Sequence, residues 1–168
     1  LGSVVNRLYA LAEDHAPLSR VTFGDISAEP GARNTVPASV TVSLDMRHPD
    51  QAILDEMDST MRSILAEESE RFGLEHEVHD EWRSPAVVFD RNCVAAIEQA
   101  VDVLELKAKS MFSGAGHDSV YVSRVAPTAM IFVPCEKGIS HNEAENMTAD
   151  DAAAGCNVLL HAILERAS

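Results

Sequence analysis

The protein has 168 residues, 46% of them hydrophobic, which is enough to build a real core in one domain or two small ones. Its 13 basic and 27 acidic residues give a formal charge of −14. Nucleic acids and anionic membranes are therefore excluded as expected partners, and no apolar run approaches the roughly 20 residues of a membrane span.

The first half of the chain predicts, in order, a helix, two strands, a second helix and a third strand. Apolar residues recur at helical spacing in residues 1–14, and β-branched and aromatic residues mark residues 20–29 as a strand. Residues 39–48 alternate between apolar and polar side chains, as in a strand with one buried face. An apolar stripe then indicates a helix that ends at Gly73, and residues 74–80, LEHEVHD, predict the third strand.

This order is that of a ferredoxin-like βαββαβ sandwich without its first strand. Pro49 and Asp50 open its second helix, and the polar face of the alternating strand ends with Arg47. Asn34 lies in the turn-rich connection before that strand. A guanidinium suits bidentate carboxylate binding and an Asn amide can donate to the same group, so these residues predict an anchor for a small anion. The alternative is a surface Arg paired with one of the many acids of this chain.

The second half predicts the tail of an α/β domain. Residues 90–105 form a helix, and the Gly-rich turn GAGHD, residues 114–118, leads into another. The apolar run PTAMIFV, residues 127–133, is typical of a parallel strand covered on both faces. A polar loop occupies residues 134–147, and a last helix starts at Thr148.

His141 lies in this polar loop, at the C-terminal end of the predicted strand. Ligands bind at that edge of open α/β sheets, and His is a common metal ligand. Glu143 and Glu145 could ligate the same metal or orient the ring. The alternative is an exposed histidine among solvated acids, because no second ligand lies at a diagnostic offset.

The GAGHD turn offers a second candidate site. Its backbone N–H groups could hold an anionic group at the start of the helix, with His117 as an added donor. Asp118 gives the alternative, because its carboxylate complements the helix dipole without any ligand.

The number and spacing of the cysteines indicate the cellular compartment of the protein. The three cysteines are odd in number and form no CxxC pair, which predicts no disulfide framework and a cytoplasmic location. Cys135 lies in the polar loop, but no Cys/His/Asn pattern supports a nucleophile there, and we interpret it as an incidental small residue.

Three stretches, ARNTVPASVTVSLDMRHPD, SGAGHDSVYVSRVAPTAMIFVP and GISHNEAE, together resemble the hydantoinase/carbamoylase amidases of the dinuclear-metal M20-type peptidase/aminoacylase superfamily. These include N-carbamoyl-L-amino-acid hydrolases, β-ureidopropionases and allantoate amidohydrolases. The resemblance covers essentially the whole chain and implies an α/β fold. Residues 1–82 would be a partial dimerisation (lid) domain, and residues 83–168 the C-terminal part of the catalytic metal-binding domain.

The resemblance also assigns roles to individual residues. His141 matches a metal ligand, and Gly116 and His117 match groups that contact the substrate. Asn34 and Arg47 match the pair that holds the substrate's carboxylate in the partner subunit's site, which implies a homodimer. No catalytic residue lies in this chain, because the general-base glutamate and the remaining metal ligands are expected before Leu1 in a longer polypeptide.

The implied reaction is hydrolysis of the carbamoyl C–N bond of a small anionic N-carbamoyl or ureido substrate, giving amino acid, ammonia and carbon dioxide. The implied cofactor is a pair of divalent ions, zinc or manganese and in some members cobalt or nickel, which activate the attacking water. Two alternatives remain open. One is an allantoate amidohydrolase, and the other is a non-catalytic dimerisation or scaffold fragment.

Overall fold

A computed structural model of the protein describes residues 1–167. The chain forms two compact units, Leu1–Ala86 and a second unit from Val87 onward. Within the described residues, every helix is too short or too polar to cross a lipid bilayer.

The first unit packs two helices on one face of a two-stranded antiparallel sheet. Its elements are α1 (Gly2–Asp14), β1 (Arg20–Glu29), β2 (Ser39–Arg47) and α2 (Gln51–Phe72). All four were predicted from the sequence, and their bounds agree to within one or two residues. The core lies where the two helices meet the sheet and contains Leu8, Leu11, Met57, Met61 and Ile64.

Alternation along β1 and β2 gives the sheet one apolar and one polar face. Val21 and Phe23 pack against the helical core together with Leu44 and Met46 on the opposite strand. The residues between them therefore project from the other face, which we call the open face of the sheet: Arg20 and Thr22 on β1, and Ser43, Asp45 and Arg47 on β2.

The ends of α2 follow from local chemistry. The Asp50 carboxylate accepts a hydrogen bond from the Ala52 N–H at 2.8 Å, as an N-cap residue does. At the other end Gly73 adopts the left-handed conformation (φ 63°), which glycine reaches without steric cost, and the helix ends there. Both ends lie where the sequence predicts them.

The second unit is built on a close packing of two helices. Its elements are α3 (Arg91–Val103), the short α4 (Asp118–Val122), a 3₁₀ turn (Glu136–Gly138) and α5 (Ala149–Ala167). Small residues line the contact between α3 and α5, where Ala96 and Ala100 pack with Val158 and Ala162. The start of α5 matches the prediction, because Thr148 Oγ1 accepts from the Asp151 N–H at 3.1 Å.

Two predicted strands are not formed. In the described residues, the predictions of a strand at 74–80 and of a covered parallel strand at 127–133 are wrong, and both segments carry no regular secondary structure. A strand exists only where a neighbouring strand accepts and donates its ladder hydrogen bonds, and β1 and β2 pair only with each other. Segment 127–133 instead packs against helices, with Ile131 on the α3–α5 cluster.

Candidate functional site

The first candidate group lies on the open face of the sheet in the first unit. Arg47, the last residue of β2, donates from Nε and Nη2 to the two carboxylate oxygens of Asp45 at 2.6 and 3.0 Å. The two residues are two apart on one strand, so their side chains project from the same face. Their side chains remain 49% and 44% exposed. The hydrogen bond that Arg47 donates to Asp45 is the main cause of a raised Arg47 pKa, so the guanidinium stays charged.

Asn34 lies in the connection between β1 and β2. The Ala38 N–H donates to Glu29 O at 2.7 Å and closes the base of this connection, and the Thr35 N–H donates to Ala32 O at 3.5 Å. Asn34 is exposed within that turn. The connection therefore presents the Asn34 amide to solvent in the same unit as Arg47.

The second candidate group lies in the second unit, at the GAGHD turn before α4. The His117 ring packs edge-on against Phe132, with 5.6 Å between ring centroids, and its Nε2 lies 2.9 Å from Ser113 Oγ. Ser119 Oγ donates to Met130 Sδ at 2.9 Å. These contacts hold the turn against segment 127–133.

Gly116 has open space beside it. A Cβ built at this residue would meet no atom within 4 Å, and its φ is not in the left-handed region. Neither local packing nor backbone conformation in the described residues therefore requires a glycine here. A glycine at this position leaves room for another molecule to approach the backbone.

His141 follows segment 127–133 in an exposed loop. Its backbone is left-handed (φ 56°), and its N–H donates to Glu145 Oε2 at 2.8 Å. The Glu136 N–H donates to Asn146 O at 2.7 Å, and Asn146 Nδ2 donates to Glu136 Oε2 at 3.0 Å, so the two ends of the loop are tied together. The imidazole is presented to solvent by a braced loop.

The donor set around His141 does not complete a metal centre. Within residues 1–167, no three His, Cys, Asp or Glu side chains are grouped so that they could hold a metal ion. An exposed imidazole suits a transition-metal ligand, but one ligand does not fix an ion. The described residues alone therefore do not fit the two-metal site that the resemblance implies.

The sequence predicted some of the contacts of Arg47 and His141 and not others. It predicted Arg47 on the polar face and Glu145 as a group that could orient His141, and the Glu145 contact goes to the backbone rather than the ring. The alternative of a surface Arg paired with an acid is what the structure shows, and the acid is Asp45, which the sequence did not single out although the spacing of two residues on a strand was a signal.

Comparisons with known proteins find relatives that match nearly the whole chain. The family model of peptidase family M20/M25/M40 matches residues 6–165. An N-carbamoyl-L-amino-acid amidohydrolase of Rhizobium meliloti is 35% identical over 167 residues, covering 99% of this chain and 40% of the relative. An allantoate amidohydrolase of Escherichia coli is 33% identical over 143 residues, covering 83% of this chain and 34% of the relative.

A solved structure agrees with the fold. An amidase of the hydantoinase/carbamoylase family from Burkholderia multivorans superimposes with a TM-score of 0.90 and 42% identity, covering 97% of this chain and 40% of that one. The predicted resemblance and the α/β fold class are confirmed. This chain spans 40% of the length of the Rhizobium relative. Because the match extends over residues 6–165 and is repeated by the curated relatives and by the solved structure, the chain belongs to peptidase family M20/M25/M40.

Proposed function

We propose that this chain is part of a metal-dependent amidohydrolase that cleaves the carbamoyl C–N bond of N-carbamoyl-L-amino acids. One water is consumed: its oxygen joins the carbamoyl carbon, the bond to the amino nitrogen breaks, and the carbamate released decomposes to ammonia and carbon dioxide. The observation that carries the proposal is the Arg47 guanidinium, which is exposed and oriented on the open face in a chain 35% identical to an N-carbamoyl-L-amino-acid amidohydrolase.

The residues of this chain bind and orient the substrate in this proposal. Arg47 and Asn34 hold the substrate carboxylate, because a guanidinium donates bidentately and an amide adds a further donor. Gly116 and His117 line the reacting end, where open space beside the glycine admits the ureido group. Positioning of this kind lowers the entropic part of the barrier.

Amidohydrolases of this family are generally dinuclear metal enzymes, and bound divalent ions supply an activated water. In our proposal His141 contributes one ligand, and the other ligands and the general base lie on polypeptide outside these 168 residues. We further propose that the enzyme is a cytoplasmic homodimer in which Arg47 and Asn34 serve the partner's site. The unpaired state of Cys93, Cys135 and Cys156 supports the compartment.

Allantoate is the second candidate substrate, since the Escherichia coli allantoate amidohydrolase is 33% identical to this chain. Both substrates carry a carboxylate and a ureido group, so Arg47 and Asn34 could hold the carboxylate of either one. The groups that contact the rest of the substrate decide between them.

The test uses the complete polypeptide that contains these residues, loaded with zinc, manganese or cobalt. We expect hydrolysis of N-carbamoyl-L-amino acids, measured as ammonia and free amino acid, to exceed that of allantoate in kcat/KM. Arg47→Ala should raise KM and lower kcat/KM by about 10- to 100-fold, the range for a hydrogen bond to a charged group. Faster turnover of allantoate would make that the substrate, and no activity on either would overturn the proposal.

A further inference from the structure

The register of the sheet places a second guanidinium opposite Arg47. Arg20 on β1 is the direct cross-strand partner of Arg47 on β2, and both residues belong to the open face. The Cβ atoms of such a pair lie about 5 Å apart, close enough for two long side chains to reach one ligand. Nothing in the spacing of the sequence indicates this pairing, because it depends on the register of two strands.

Backbone carbonyls, rather than a carboxylate, hold the Arg20 guanidinium. In the part of the chain that the structure describes, it has no acidic partner, and its Nη1 donates to Pro17 O and Ser19 O, both at 2.6 Å. These two carbonyls hold the guanidinium at the start of β1 without neutralising its charge. The side chain is therefore held by neutral acceptors.

The charge balance at this end of the open face favours an anion. Like charges directly opposite each other on a sheet are destabilising, and Asp45 offsets only one of the two guanidinium groups. Arg20, Arg47 and Asp45 together carry a net charge of +1 in a chain whose formal charge is −14. Bringing in a carboxylate would cancel this excess, because its two oxygens accept from both guanidinium groups.

We propose that Arg20 and Arg47 together form a two-guanidinium site for the carboxylate of a small ureido acid, with Arg20 as a substrate-binding residue. This site rests on the proposed function, since Arg47 is the residue that holds the substrate carboxylate there. Arg20 supplies the net positive charge that Arg47 lacks while it is paired with Asp45. Selectivity for anionic over uncharged substrates follows from the pair.

The test compares three variants in the complete polypeptide. Arg20→Gln removes the charge but keeps a side-chain N–H donor, Arg20→Lys keeps the charge, and Arg91→Gln removes an exposed guanidinium from α3 as the control. Binding of N-carbamoylglycine and of its uncharged carboxamide is measured by calorimetry after metal removal, so that no turnover occurs. KM and kcat for an N-carbamoyl-L-amino acid are measured on the loaded enzyme. Circular dichroism checks the fold.

We expect Arg20→Gln to weaken N-carbamoylglycine binding and to raise KM by about tenfold, the effect of one charge-assisted hydrogen bond. Carboxamide binding should stay unchanged, Arg20→Lys should retain most of the affinity, and Arg91→Gln should match the wild type. Added salt should weaken carboxylate binding more in the wild type than in Arg20→Gln.

The outcomes separate this proposal from the proposed function. Wild-type affinity and KM in Arg20→Gln, or equal losses for both ligands, would overturn the two-guanidinium site and leave the hydrolase intact. Arg20-dependent carboxylate binding without hydrolysis of any ureido acid would support the site and overturn the hydrolase. Binding of neither ligand together with no hydrolysis would overturn both.

Discussion

At the scale of single residues, two carboxylates position the candidate substrate-binding residue Arg47 and the candidate metal ligand His141. Asp45 fixes the Arg47 guanidinium through two hydrogen bonds. Glu145 accepts from the His141 N–H and stabilises a left-handed backbone that costs a non-glycine residue free energy. Both contacts are local in sequence, so the Arg47 side chain and the His141 backbone are positioned before any ligand arrives.

Glu68 on α2 illustrates a carboxylate with a purely structural role. It is 6% exposed and accepts from Arg7 Nη1 at 3.0 Å, which ties α1 to α2. A hydrogen bond from Ser3 is the main cause of its lowered pKa, and Arg7 and Arg71 add to it. Because the folded state holds this proton less tightly than the unfolded state, the stabilisation is present above the ordinary pKa of a Glu, about 4.3, and is lost as pH falls further.

We therefore predict that Glu68→Gln lowers the urea midpoint of unfolding at pH 7, and that its difference from the wild type shrinks as pH falls below about 4.3, the ordinary Glu pKa. Urea melts followed by circular dichroism at a series of pH values measure this. Glu70→Gln, an exposed change on the same helix, is the control and should show little difference at any pH. A Glu68→Gln difference that stays constant with pH would contradict the interpretation.

At the scale of elements, α5 supports the segment that leads to the His141 loop. The helix passes so close to residues 127–133 that a Cβ on Gly155 would lie 2.5 Å from Val133 Cγ1. The Val133 side chain is β-branched and stiff, so it cannot rotate away at low cost. Glycine at 155 is therefore required by packing rather than by backbone conformation.

Gly155→Ala should destabilise the second unit. Overpacking of this kind costs about 1–3 kcal/mol, which exceeds the gain of about 1 kcal/mol in helix propensity. Thermal melts of Gly155→Ala, Val133→Ala and the double variant measure the effect. In the double variant, loss of Val133 Cγ1 should remove most of the clash, so the two changes should be less than additive. A fully additive double variant would show that the contact does not limit the packing.

At the scale of the whole molecule, the chain forms two compact units but leaves much apolar surface open. The outer side of α5 carries four aliphatic side chains that are 50–59% exposed: Leu159, Leu160, Ile163 and Leu164. Contiguous exposed apolar patches mark surfaces that other protein segments cover. This pattern fits a chain that spans 40% of the length of its Rhizobium relative.

The 168-residue chain on its own should consequently self-associate. We expect light scattering to show a mean mass that rises with protein concentration, because aggregation buries the α5 patch. Leu164→Glu should reduce this association by placing a charge in the patch. Ser59→Glu, which adds the same charge to an exposed position on α2, should not. A wild-type chain that stays monomeric over a wide concentration range would contradict this prediction.

Locally encoded features could be predicted from the sequence by itself. The ends of α2 at Asp50 and Gly73, the start of α5 at Thr148 and the polar face carrying Arg47 all depend on residues within one turn or one strand. Short motifs and their resemblance to a family predicted the substrate-binding candidates Asn34 and His117 and the metal-ligand candidate His141. Their roles are proposals, since residues 1–167 do not group three His, Cys, Asp or Glu side chains that could hold a metal ion.

Only the tertiary structure decided what depends on distant residues. Segments 74–80 and 127–133 have strand-like composition, but a strand needs a hydrogen-bonding neighbour, which composition cannot supply. The pairing of Arg20 with Arg47 likewise comes from the register of β1 and β2, which sequence spacing does not show. Periodicity and capping act between near neighbours and are written in the sequence, whereas pairing and register are settled only when separate segments meet.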